Sequence, residues 1–117
     1  ALALALLAGG CQPGGPPPLH PEATTQQIAR GRALMAQYQC GSCHAIPGVA
    51  AAQGQVGPAL SAFGRRSYIA GEWPNTQETL ARWLVAPDAL VPGTAMPAMG
   101  VSPADAHDMA ASLLALE

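Results

Sequence analysis

The sequence predicts a small all-α domain of three to five helices. Three observations predict it. Apolar residues recur at helical spacing in three separated stretches, residues 25–39, 77–86 and 102–116. The segments joining them are rich in Gly and Pro, and no βαβ pattern appears. Between the first and second stretch lies Cys40-Gly41-Ser42-Cys43-His44, the C-x-x-C-H spacing of covalent c-type haem attachment. Two thiols on one turn of chain can add to the two vinyl groups on one porphyrin edge, and the adjacent imidazole of His44 can then reach the iron as an axial ligand. The helices are therefore expected to pack around one covalently bound haem.

Composition agrees. The chain has 117 residues, one domain's worth, and is 50% hydrophobic, yet only five residues are Phe, Trp or Tyr. A core that small and poor in aromatics is thin by itself, and a haem at its centre would supply the missing bulk. The five basic residues are all Arg against seven acidic ones, with no basic tract, which argues against nucleic acid as a partner. Three cysteines is an odd number, so Cys11 needs its own explanation.

In chain order, residues 1–10 are apolar but far too short to span a bilayer. They read as the latter part of a secretory signal, with Ala8, Gly9 and Gly10 before Cys11 in a lipobox-like arrangement. On this reading Cys11 is lipidated and tethers the protein to a membrane; the plainer alternative is an ordinary signal with a stray thiol. Either way the chain is exported. Residues 11–23 form a linker: Gly14 and Gly15 loosen it, and Pro16–Pro18 stiffen it into extended geometry. The domain proper is expected over residues 24–117.

The first helix, Thr25 to about Gln39, has Thr24 or Thr25 as N-cap, with Gln27 three after Thr24 as the capping-box partner. Gly31 inside it costs about 1 kcal/mol relative to Ala, a cost a helix accepts where another crosses closely; Ala110 on the last helix is the expected neighbour. Residues 47–58 read as loop. Arg65 and Arg66 offer guanidinium forks suited to haem carboxylates. The second helix carries Leu80, Trp83 and Leu84 on one face, is capped by Thr76 and is stopped by Pro87. Residues 91–100 read as a loop able to carry a thioether over the haem. Met96, directly after a Pro-Gly-Thr turn, is preferred to Met99, while Met35 and Met109 on helices read as gap-fillers. The last helix starts with Ser102 as N-cap, Pro103 at its first position and Asp105 in its first turn. His107 reads as a surface residue.

With both key stretches in place, residues 24–117 resemble a class I cytochrome c. The resemblance rests on an ordered set: Gly31, Cys40-x-x-Cys43-His44, Gly57-Pro58-x-Leu60, Phe63-Gly64-Arg65, Glu78-Thr79-Leu80, Pro92-Gly93-Thr94-x-Met96 and a final helix. The stretch from Ile69 to Met96-Pro97 is similar to the cytochrome c domain fused to subunit II of some bacterial haem-copper oxidases. The resemblance implies one haem c held by Cys40 and Cys43, with His44 and Met96 as axial ligands and the Pro58 carbonyl accepting a hydrogen bond from the His44 ring. It further implies Leu60 and Trp83 as haem walls and Arg65, Asn75 and Thr94 as contacts to the haem carboxylates. Two departures stand out: Ser112 lies where many relatives carry an aromatic, so the Gly31 crossing is expected to be packed less fully, and the chain has no Lys for an electrostatic docking ring.

The expected function is single-electron transfer in a respiratory chain, not an enzymatic reaction. The expected partners are membrane complexes: a terminal oxidase downstream, and a quinol-oxidising complex or another cytochrome upstream. The expected location is the periplasm or the outer face of a bacterial membrane. The alternative is a haem enzyme or sensor with an open iron site, which requires that Met96 not ligate. A dithiol redox module lacks its βαβ context, and a zinc site lacks a second Cys/His pair.

Overall fold

The computed structural model describes Gly10 and residues 14–117. The signal-like residues 1–9 and the lipidation candidate Cys11 lie outside the described residues.

Among the described residues four helices carry the fold: α1 (Thr25–Gln37), α2 (Gln77–Val85), α3 (Pro87–Leu90) and α4 (Pro103–Leu114). α4 is the central element and packs against both α1 and α2. The N-caps explain where the helices begin. Thr24 and Gln27 form a complete capping box at α1, Thr76 accepts from the Thr79 amide at α2, and Ser102 accepts from the Asp105 amide at α4. α1 stops two residues before its expected end. Gln39 takes left-handed dihedrals (φ 62°), which turns the chain into the 3₁₀ turn Cys40–Ser42. Pro87 ends α2 and opens α3 at the favoured first helical position.

Gly31 does sit at a helix crossing, against Ser112, which the resemblance put there, and Asp108, but not against Ala110. A Cβ built on it would lie 2.5 Å from the Asp108 carbonyl oxygen and 2.5 Å from Ser112 Cβ, so the close approach is to Asp108 and Ser112 and not to Ala110. Ser112 is buried there, and its hydroxyl donates to the Ile28 carbonyl at 3.2 Å, sealing the crossing with a hydrogen bond. On the outer side Arg30 reaches Asp108 at 2.7 Å and Asp105 at 3.2 Å, and Tyr38 donates to Asp105 at 2.7 Å.

A two-stranded hairpin not expected from the sequence lies between the first and second helices: β1 (Tyr68–Ile69) pairs antiparallel with β2 (Trp73–Pro74), Tyr68 opposite Pro74 and Ile69 opposite Trp73. It follows a 3₁₀ turn, Phe63–Arg65, whose Gly64 amide donates to the Leu116 carbonyl at 2.7 Å and whose Gly64 carbonyl accepts from the His20 ring at 2.8 Å. His20, in the segment before the domain, and Leu116, at its C-terminal end, are thus both tied to Gly64. Among the described residues no helix is long and apolar enough to cross a membrane.

Candidate functional site

The 3₁₀ turn Cys40–Ser42 is closed by the Cys43 and His44 amides, both donating to the Cys40 carbonyl. This holds Cys40, Cys43 and His44 at one rim of a cavity of about 360 Å³. The two thiols are free and partly buried. Burial pushes the Cys40 thiol above its ordinary pKa, with the neighbouring Cys43 adding a smaller push in the same direction. A redox dithiol needs a depressed pKa, so this direction opposes the thiol-exchange reading.

The His44 ring is fixed from two sides. Its Nδ1–H donates to the Pro58 carbonyl at 2.7 Å. Gly57 lies against it: a Cβ there would fall 2.4 Å from His44 Cε1 and 3.0 Å from Nε2. Gly57 is itself tied to the motif by its amide, which donates to the Cys43 carbonyl at 2.7 Å. With the proton on Nδ1, the Nε2 lone pair is free to bind a metal.

The cavity wall is mostly apolar. Leu60, Leu80, Trp83 and Leu113 line it and are buried in the core. Met35 and Met109 line it as well and are almost wholly buried, 1% and 0% exposed. Met96 and Thr94 enter from the loop after α3, and the Met96 amide donates to the Thr94 hydroxyl at 3.3 Å. Met99 does not line the cavity and is 44% exposed. The structure therefore brings Cys40, Cys43, His44, Pro58, Leu60, Trp83, Thr94 and Met96 to one cavity.

It does not bring Arg65 and Asn75 to that wall. Arg65 is exposed, whereas its neighbour Arg66 lines the cavity. Asn75 is buried behind the wall, and its Nδ2 donates to the carbonyls of Phe63 and Arg66 at 3.0 Å each, which consumes the amide hydrogens a haem carboxylate would need. Phe63 and Ile69 are lining residues to which sequence reasoning gave no site role, whereas Arg66 is one of the two arginines it offered for the haem carboxylates. The Phe63-Gly64-Arg65 run singles out Arg65, the exposed one of the two arginines.

A wider surface depression of about 670 Å³ lies between α2, α3 and the start of α4, beside Ala81, Val85, Leu90 and His107. It holds none of the candidate residues. Among the described residues no cluster of three or more His, Cys, Asp or Glu is placed to hold a metal ion by itself. The first cavity fits a covalently attached haem: two thiols at one rim, a ring nitrogen with a free lone pair, a thioether, and apolar walls.

Comparison with known proteins points the same way. Residues 28–117 match the family model described as cytochrome c. The chain is 38% identical over 78 residues to a cytochrome c oxidase subunit 2 of Alkalihalophilus pseudofirmus, covering 66% of this chain and 22% of that protein. It is 35% identical over 69 residues to a cytochrome c oxidase subunit 2 of Bacillus subtilis, covering 57% of this chain and 19% of that one. The chain thus spans about a fifth of the length of the curated relatives it matches. No solved structure matches it significantly.

Proposed function

Because the chain belongs to the cytochrome c family, we propose that it is a one-electron carrier and not an enzyme, with His44 and Met96 as the axial ligands of its haem. Haem c is the covalently attached cofactor of that family, and Cys40 and Cys43 are positioned to hold it. When bound, it supplies a reversible one-electron change at iron. The chain's part is to hold, orient and shield it. The observation that carries this reading is the 2.7 Å contact of His44 Nδ1 with the Pro58 carbonyl, which fixes the tautomer and leaves Nε2 as a ligand. Met96 at the same cavity supplies the soft second ligand that raises the potential of such a centre. With His44 and Met96 both holding the iron, no position would be left for a substrate.

Thr94 holds the Met96 loop through its hydroxyl, and Leu60 and Trp83, which line the cavity, would shield a haem held there from water. The ferric absorption spectrum tests the ligation. A low-spin spectrum with a Met–iron charge-transfer band is expected, lost in Met96→Ala and kept in Met99→Ala. A high-spin wild-type spectrum would support an open-site enzyme or sensor instead.

The two relatives are named as oxidase subunits. We therefore place this domain next to a terminal oxidase, taking electrons from a quinol-oxidising complex or another cytochrome, on the outer face of a bacterial membrane. Lipidated Cys11, joined to the domain by the linker of residues 11–23, would raise the local concentration at membrane partners. Stable anchoring takes more than one acyl chain. The mass of the N-terminal peptide of membrane-isolated protein tests this: an unmodified Cys11 would remove the tether.

A further inference from the structure

We infer that His20 is a latch: its ring fastens the N-terminal segment to the turn that walls the large cavity, so that a tether leaves the domain beside that cavity and not at the start of α1. The latch is built from described residues alone; its use in orienting the domain rests on the tether proposed above.

Residues 14–19 are all exposed, Leu19 at 74%, and His20 is the first residue of the segment to be half-buried. Across 44 positions of sequence its Nε2–H donates to the Gly64 carbonyl at 2.8 Å. Gly64 is buried, so the ring satisfies an acceptor with little access to water. The rest of that turn is already bonded. The Gly64 amide donates to the Leu116 carbonyl at 2.7 Å, and the Phe63 carbonyl accepts from the Arg66 amide and from Asn75. The Arg66 carbonyl accepts from Asn75 as well. Phe63 and Arg66, on either side of Gly64, line the cavity. His20 therefore grips a well-fixed part of the cavity wall.

The sequence around the ring lowers the cost of fastening it. Pro18 and Pro21 each fix one backbone dihedral, and Pro21 restricts His20 to extended backbone. Fewer conformations are lost on latching than a glycine-rich chain would lose. Position matters because α1 leads away from the cysteines. Its 13 residues put Thr25 about 18 Å along the axis from Gln37, the end that turns into Cys40. Unlatched, a tether would run on to α1, and residues 20–24 would add about 12 Å of free extended chain. Latched, the free part ends at His20, and the cavity side of the domain stays nearest the point of attachment.

The test is backbone amide relaxation of the haem-loaded full chain and of His20→Ala, in the ferrous and ferric states. In the wild type the order parameters of Leu19, His20, Glu22 and Ala23 should match those of α1, about 0.85, and should fall below about 0.6 at Gly14 and Gly15. In His20→Ala the values from Leu19 to Ala23 should fall below about 0.6 while α1 keeps its own, which shows that the domain has folded. The iron reports where the latch sits: the Leu19 amide shift should differ between the ferric and ferrous wild type, and the difference should shrink by half or more in His20→Ala. Low order from Leu19 to Ala23 in the wild type, unchanged order in the variant, or the same ferric–ferrous difference in both proteins overturns the latch. The wild-type values come from unaltered protein, so a variant that fails to fold leaves them decisive. A chain without attached haem counts against the carrier reading, whereas the order parameters of that same chain still decide the latch.

Discussion

At the scale of single residues, Gly57 decides where the His44 ring can lie. The ring has two constraints, the Pro58 carbonyl 2.7 Å from Nδ1 and the bare Cα face of Gly57. Gly57→Ala places a carbon 2.4 Å from Cε1, so the ring has to move, and moving it stretches the hydrogen bond. Such a bond contributes about 0.5–1.5 kcal/mol net, and its larger effect is on the basicity of the ring. A less basic imidazole supports ferric iron less well, so Gly57→Ala should raise the reduction potential and lower the yield of haem-loaded protein. Potentiometry checks the first and the haem-to-protein absorbance ratio the second; a variant indistinguishable in both would remove Gly57 from the argument. Side-chain chemistry at this site was largely legible in the sequence, because thiols, imidazoles and thioethers announce themselves. Backbone chemistry was not. Pro58 acts through a carbonyl that every residue type possesses, so only the resemblance pointed to it. Arg65 and Arg66 are equivalent as letters, and the turn beneath them separates their surroundings.

At the scale of elements, the α1–α4 crossing is the contact most sensitive to a single atom. Gly31→Ala would gain about 1 kcal/mol of helix propensity. Its methyl would meet the Asp108 backbone carbonyl at 2.5 Å, and a backbone atom cannot rotate away. Overpacking of this kind typically costs 1–3 kcal/mol, so the cost should win and the urea midpoint should fall; a rise would mean the helices separate easily. The same crossing sets a pH response. The Tyr38 hydroxyl, with help from Ser102 and Arg30, holds the Asp105 carboxyl below its ordinary pKa. A depressed carboxyl contributes stability that is complete above its unfolded value near 3.9 and is lost as pH falls through the lower folded value. Thermal melts from pH 6 to pH 2 should therefore show a steeper acid loss in wild type than in Asp105→Asn, and parallel curves would refute the coupling. The three long helices were legible because their caps and apolar spacing are local. The hairpin was not, since two-residue strands show no period, and α3 is a single turn. Which residues meet Gly31 was legible in part: the resemblance pointed to Ser112, but helical spacing gives the buried face of α4 and not the depth at which α1 crosses it, and that placed Asp108, not Ala110, beside Ser112 at the contact.

At the scale of the whole molecule, the cavity is what the helices are arranged around. Met35, Leu80, Met109 and Leu113 belong to the hydrophobic core and line the cavity as well, so core and site are one structure. Phe63 and Trp83 are the only buried aromatics among the described residues, too few to close the space. If 360 Å³ stayed empty, a cost of about 24 cal/mol per Å³ would come to roughly 9 kcal/mol as an upper bound. That is comparable with the entire stability of an ordinary domain, about 5–15 kcal/mol. Collapse of the loops into the cavity or entry of water would relieve part of it, and either would cost the native packing. The chain without its prosthetic group should therefore be only partly folded. Cys40→Ala/Cys43→Ala, made without haem, should keep much of its far-ultraviolet helical signal, lose near-ultraviolet structure, bind a hydrophobic dye and melt without a cooperative transition, the signature of a compact state lacking fixed packing. A sharp melt with little dye binding would show that the helices close without the group, and that α1, α2 and α4 form a core independent of the site.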